Sequence, residues 1–288
     1  IGYEALRDNV TDGGNVAIGY QSMQDANGAE YNTAVGNNAL RGTTDTDITG
    51  DENVAIGAGS MKYNIAGAQN TAVGRSSLYT NTSGSNNTAL GYQSLWSNTT
   101  GSYNTASGYK SLYANTTGYR NLAIGYGAYD AADTEHDNLA IGYDALGGAI
   151  DDGTYNVAIG NYSLDANTTG DYGTGVGYNA LTSNTTGQRN TVIGASALAT
   201  NTTGNYNTAS GYEALASNTT GTGNTASGYE ALKDANRTAD TDGYNTALGY
   251  QAGNTGTNDV TTGNQNTLLG ASTAATAATA TNQTIIGY

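Results

Sequence analysis

The sequence predicts an all-β parallel β-solenoid of about 17 coils of 17 residues. Three observations carry this. A glycine that closes the motif Asn-Thr/Val-Ala-x-Gly recurs from Gly2 and Gly19 through Gly91, Gly108 and Gly125 to Gly270 and Gly287. Most steps are 17 residues, one is 18 and three are 21. Apolar residues keep fixed offsets from that glycine, which a disordered chain of low complexity has no reason to do. Proline, which cannot donate to a sheet ladder, is absent from all 288 residues.

Within a repeat, the first element is a strand. The run from Asn to the ladder glycine is too short for a helix and is flanked by glycines. Alanine stands two positions before that glycine, as at Ala89, Ala106 and Ala123, and an aliphatic residue mostly stands one position before it, as at Ile18, Ile56 and Leu90. Neighbouring strand residues point to opposite faces, so both faces carry apolar side chains. One face must line the coil with the Leu or Met that follows four positions after the glycine, as at Leu95 and Leu112. The other has no second layer of its own chain to meet, so a second copy of the chain is expected there. The pattern leaves open which face is which. Ile141→Asp is expected to disturb folding or assembly, and Thr117→Asp to disturb neither.

The next element, Asn-Thr-Thr-Gly, has turn chemistry: Asn tolerates left-handed angles and Gly supplies positive φ. Stacked in register, its asparagines are able to form amide ladders. The same motif fits a glycosylation acceptor, with Asn98 and Asn115 on exposed turns. Tyrosine often follows the ladder glycine, as at Tyr92, Tyr109, Tyr126 and Tyr143 and again at Tyr178, Tyr212, Tyr229 and Tyr250. A stiffening aromatic stack is favoured over a ligand-binding stripe. Extra residues enter near 43–52, 236–243 and 254–263 and should bulge outward at one edge. Thr44, Asp45, Asp47, Asp240, Asp242 and Asn258 in these insertions are candidate contact residues.

The net charge is −15, from 24 acidic and 9 basic residues, which disfavours nucleic acid and anionic membranes as partners. No apolar run approaches a membrane span, so no membrane insertion is expected within this segment. Cysteine is absent, which removes disulfides and thiolate metal sites. One histidine and no recurrent carboxylate pair leave little from which to build a nucleophile and base, so no enzyme and no cofactor are expected. His136 among Asp133, Glu135 and Asp137 reads as an acidic, solvated turn. Asp45, Asp47, Asp51, Glu52, Asp240 and Asp242 offer oxygens for a hard cation, but the glycine-aspartate nonapeptide of calcium-binding rolls is missing. No metal site is therefore expected. The chain starts and stops inside a repeat, so residues 1–288 read as one repetitive segment of a longer fibre.

The coils Asn15-Val16-Ala17-Ile18-Gly19, Asn53-Val54-Ala55-Ile56-Gly57 and Asn156-Val157-Ala158-Ile159-Gly160 resemble the head repeats of trimeric autotransporter adhesins of the YadA type. They are also similar to repeats of bacteriophage tail-fibre and other surface-fibre proteins. The likeness spans essentially the whole chain, although this repeat is longer than the usual adhesin head repeat. It implies a left-handed β-roll, a homotrimer, and a stiff projection that binds extracellular protein or glycan ligands. The expected function is thus a structural and adhesive fibre on a cell surface, outside the cell or on a virion tail, with polymerisation into a filament as a further form of self-association. The alternative is a solenoid that binds ice or a polysaccharide lattice through periodic threonines.

Overall fold

The computed structural model describes residues 1–9, 13–43, 47–235, 243–256 and 259–287, and it is all-β, with sixteen three-residue strands in a parallel β-solenoid. Sixteen strands arise from seventeen ladder glycines because only Ile1 precedes Gly2. Two compact units divide the chain, Ile1–Ala140 and Ile141–Tyr288. The first contains β1 (Val16–Ile18), β2 (Thr33–Val35), β3 (Val54–Ile56), β4 (Thr71–Val73), β5 (Thr88–Leu90), β6 (Thr105–Ser107) and β7 (Leu122–Ile124). The division falls within β8 (Leu139–Ile141). The second contains β9 (Val157–Ile159), β10 (Thr174–Val176), β11 (Thr191–Ile193), β12 (Thr208–Ser210), β13 (Thr225–Ser227), β14 (Thr246–Leu248), β15 (Thr267–Leu269) and β16 (Thr284–Ile286). Within each unit every strand pairs in parallel with the next at the same motif position, as in Val16↔Thr33, Ala17↔Ala34 and Ile18↔Val35, and the 21-residue step keeps that register in Ala34↔Ala55.

The core of each unit is one row of inward strand residues, mostly alanine, beside one row of long aliphatics. Ala34, Ala55, Ala72, Ala89 and Ala106 are fully buried, and so are Met23, Leu40, Met61, Leu78, Leu95 and Leu112. The leucines sit at positive φ, 50° at Leu95 and 49° at Leu112. That conformation costs an L-residue about 1–2 kcal/mol. Burying the side chain stabilises by about 1.5–3 kcal/mol, so burial outweighs the strain. The same backbone also joins the coils: the Leu95 amide donates to the Ser111 carbonyl at 3.0 Å.

The turn motif works differently from its sequence reading. Neither Asn98 nor Gly101 has positive φ; Gln93, Leu95 and Tyr103 do. Gly101 is required instead by proximity, because a Cβ there would overlap the Asn98 amide oxygen and the Gly118 carbonyl and lie 2.9 Å from Asn115 Nδ2. The asparagines are buried, not exposed, and they form the expected ladder. Asn98 Nδ2 donates to Asn81 Oδ1 at 2.8 Å and to the Gly101 carbonyl at 2.9 Å, and Asn115 Nδ2 donates to Asn98 Oδ1 at 2.7 Å. This burial removes Asn98 and Asn115 as glycosylation acceptors in the folded chain. A second ladder runs through the asparagine before each strand: the Asn87 amide donates to Asn70 Oδ1 at 2.9 Å while Asn87 Nδ2 reaches the Gly101 carbonyl at 2.9 Å.

A ladder of this kind must end somewhere, and it ends where alanine replaces asparagine. Ala132 and Ala235 stand 17 residues beyond Asn115 and Asn218, and the amide oxygens of those two asparagines are buried without a partner. In the coil of Ala132 three positions change together. Tyr129 takes the leucine position and is fully buried, Ala132 replaces Asn, and Glu135 replaces Gly. The missing amide is what leaves room for a side chain at Glu135, whose carboxylate accepts from the Asp133 amide at 2.9 Å. Asn138 Nδ2 in turn donates to the Tyr129 hydroxyl at 2.6 Å. Burial, followed by the nearby Glu135 charge, pushes the Tyr129 phenol well above its ordinary pKa.

The three replacements should therefore be strongly coupled. Ala132→Asn alone is expected to destabilise by about 2–3 kcal/mol through overlap with Glu135. Combined with Tyr129→Leu and Glu135→Gly, it should give the Asn115 oxygen its donor and recover most of that loss, a departure from additivity of at least about 1.5 kcal/mol. Urea unfolding of the single and triple variants measures it.

The insertions near 43–52 and 254–263 do not simply bulge, while residues 236–242 of the remaining one lie outside the described residues. Ile48, within 43–52, is fully buried and bridges in parallel to Ala26. Val260, within 254–263, is also buried. Each insertion described thus returns one aliphatic side chain to the core, because an apolar residue gains more there than on an exposed loop. Asp47 is exposed and accepts from Asn27 Nδ2 at 3.2 Å. Thr44, Asp45, Asp240, Asp242 and Asn258 lie outside the described residues.

Candidate functional site

The alternation of strand side chains decides which face each residue occupies. The central residue points inward: Ala17, Ala72, Ala89, Ala106 and Ala123 in the first unit, and Ala158, Val192, Ala209 and Ala247 in the second, are all buried. The flanking residues point outward. Val16 is 47% exposed, Ile193 51% and Leu248 50%, and Ile18, Ile56, Val73, Leu90, Ile124 and Leu269 are exposed as well. Ile141 lies on this outward face and is half-buried.

This face is apolar or hydroxylated along both units. Valine, leucine or threonine occupies the first strand position, and Ile, Val, Leu or, at Ser107, Ser210 and Ser227, serine the third. No strand residue carries a charge, on a chain whose net charge is −15. Exposed apolar rows of this extent mark interaction surfaces.

The tyrosines after the ladder glycine border the face, and the structure brings them together as the stack expected from sequence. Tyr92 and Tyr109 have ring centroids 5.4 Å apart, and Tyr109 and Tyr126 4.8 Å, with planes within 12° and 8° of parallel. In the second unit Tyr212, Tyr229 and Tyr250 repeat this at 5.3 and 5.2 Å. Tyr143 and Tyr178 instead meet Tyr162 edge-on. The stacked rings remain exposed to solvent.

No protein-family model, curated protein or solved structure matches the chain.

The acidic side chains around His136 do not converge. Asp137 forms a two-point ion pair with Arg120, both contacts at 2.6 Å, and takes His136 Nδ1 at 2.7 Å. The Arg120 hydrogen bond, with that of His136, holds the Asp137 carboxyl down to about 2. Glu135 turns to backbone amides, Asp133 meets the Thr116 hydroxyl, and His136 stacks on Tyr119 at 4.5 Å. Each group is committed to a different neighbour.

One arrangement escaped the sequence reading. Five positions after the ladder glycine, three successive coils carry Tyr79, Trp96 and Tyr113, and the rings stack at 5.8 and 5.4 Å. Tyr63 meets Tyr79 edge-on at 5.0 Å. The signal was the recurrence of aromatics at one offset, obscured because most other coils place small or polar residues there.

Proposed function

We propose that this chain is a self-associating segment of an extracellular structural and adhesive fibre, whose outward strand face packs against copies of itself. The observation that supports this most is the uncharged, apolar outward row. A specific interface buries about 800 Å² per partner, an area that a row repeated from coil to coil supplies through many coils together. Lack of charge on that row also lets copies of an acidic chain approach there, with like charges kept to other faces. The resemblance to adhesin-head and tail-fibre repeats favours a trimer and a position on a cell or virion surface, with ligand contacts made through turns and insertions.

The test is Ile56→Asp with Leu90→Asp. Both side chains point outward, so coil closure should persist, with a change in unfolding free energy below about 1 kcal/mol per site. Burying two unpaired carboxylates between copies should weaken association by at least about a hundredfold. Sedimentation velocity over a concentration series measures the shift, and unchanged association would contradict the reading. A second reading, an ice- or polysaccharide-lattice-binding face, is favoured by the in-register column Thr71, Thr88 and Thr105. Thermal hysteresis of the purified chain separates the two; its absence removes ice as the partner.

A further inference from the structure

The acidic chain contains one stretch with the opposite balance. Between Asn53 and Tyr129 there is no Asp or Glu, while Lys62, Arg75, Lys110 and Arg120, four of the nine basic residues, fall there. The same stretch holds the only tryptophan. Its aromatic column, Tyr63, Tyr79, Trp96 and Tyr113, is flanked by cations. Lys62 Nζ lies 4.8 Å from the Tyr63 ring centroid and 5.6 Å from that of Tyr79, and it donates to the Tyr79 hydroxyl at 3.4 Å. Lys110 Nζ lies 5.0 Å from the Tyr113 centroid and 5.7 Å from that of Tyr109, which links the column to the neighbouring tyrosine stack. Arg75 stands 5.9 Å from the Tyr92 ring. Among the described residues no carboxylate pairs with Lys62, Arg75 or Lys110. Arg120, by contrast, is committed to Asp137.

We propose that this column and its lysines bind an acidic polysaccharide, one whose sugar units carry carboxylates. The ammonium groups supply the charge partners, and cation–π contact with the rings holds them in place. The phenols of Tyr63, Tyr79 and Tyr113 and the indole of Trp96 add polar groups beside the lysines, which suits a polymer with hydroxyls on every unit. A single-stranded nucleic acid fits less well. Its bases need open ring faces. Here Tyr79, Trp96 and Tyr113 are within 4° and 12° of parallel with centroids 5.8 and 5.4 Å apart, too close for a base to enter between them. The site uses side chains other than the outward strand rows, so it goes beyond the self-association reading and does not depend on it.

The experiment is titration calorimetry of the intact chain at low salt with polygalacturonate oligosaccharides, their neutral galactan counterparts and a single-stranded DNA oligomer of matched charge. Polygalacturonate should bind, more weakly as salt rises, and the neutral glycan should not. Lys62→Gln with Lys110→Gln should weaken binding by roughly tenfold or more. Arg189→Gln, which alters a similar cation–ring contact in the second unit, should leave it unchanged. Light scattering and melting temperature on the same samples report association and folding separately. The proposal is overturned by no binding of polygalacturonate, by equal binding of the neutral glycan or the DNA, or by full binding in the folded double-lysine variant.

Discussion

Gly108→Ala is expected to abolish cooperative folding of the first unit rather than weaken it slightly. Gly108 has φ 147°, and a Cβ on it would lie 2.7 Å from the Gly125 carbonyl carbon and closer still to its oxygen. The obstacle is backbone, which has no rotamer by which to retreat. Moving it breaks the inter-coil bond in which the Gly125 amide donates to the Ser107 carbonyl at 2.9 Å. Strain and lost contact together should exceed about 4 kcal/mol, a large share of the stability of an ordinary domain. Serine at the same place should do the same, since the first atom added is the one that collides. Far-ultraviolet circular dichroism during thermal unfolding reads the outcome; a melting temperature within a few degrees of wild type would contradict it.

Asn98→Asp is the second large effect, and it carries a pH signature. The amide nitrogen of Asn98 faces two acceptors, Asn81 Oδ1 and the Gly101 carbonyl, and the residue is fully buried. A carboxylate in its place points an oxygen at both. The cost should be about 3–5 kcal/mol at neutral pH, as for an unpaired buried charge. The substituted carboxyl is raised in the folded state relative to the unfolded chain, since burial and two facing acceptors disfavour its charge. Its penalty is therefore absent below the unfolded carboxylate pKa and grows as pH rises through that value to the folded one. Protonated, the acid can donate to one of the two acceptors. The stability deficit relative to wild type should shrink between pH 7 and pH 3; a deficit that stays constant would mean that the amide ladder contributes little.

Much of the coil was legible because its period was. The ladder glycines, the inward alanines and the core leucines all keep fixed offsets, and a repeated offset can be read without any contact being known. What escaped had one physical origin: the stack between coils overrides local preference. Leu95 and Gln93 take left-handed angles that propensity assigns to Gly or Asn, because the ladder above and below fixes the backbone. Gly101 looks like a turn glycine but is needed for its missing Cβ against the Asn98 amide. Ile48 sits in an insertion and still returns to the core, which its Thr- and Asp-rich neighbours conceal.

The site was legible to a lesser depth. Two apolar faces on one strand announced that something must cover the second, but alternation alone gives no direction. The burial of Ala89 beside the exposure of Leu90 supplies it. The joint exchange at Tyr129, Ala132 and Glu135 was hidden for a different reason: each substitution alone looks like drift, and only the burial and hydrogen bonds around them tie them together. The acid-free stretch around Trp96 is visible in the sequence, yet its meaning depends on the cations standing over the rings.

The molar mass of the intact chain in dilute solution, taken by multi-angle light scattering, tests the central claim most directly. The uncharged outward row predicts a stable integral multiple of the 29.2 kDa chain mass. A folded species that holds at 29.2 kDa across the concentration range would contradict it.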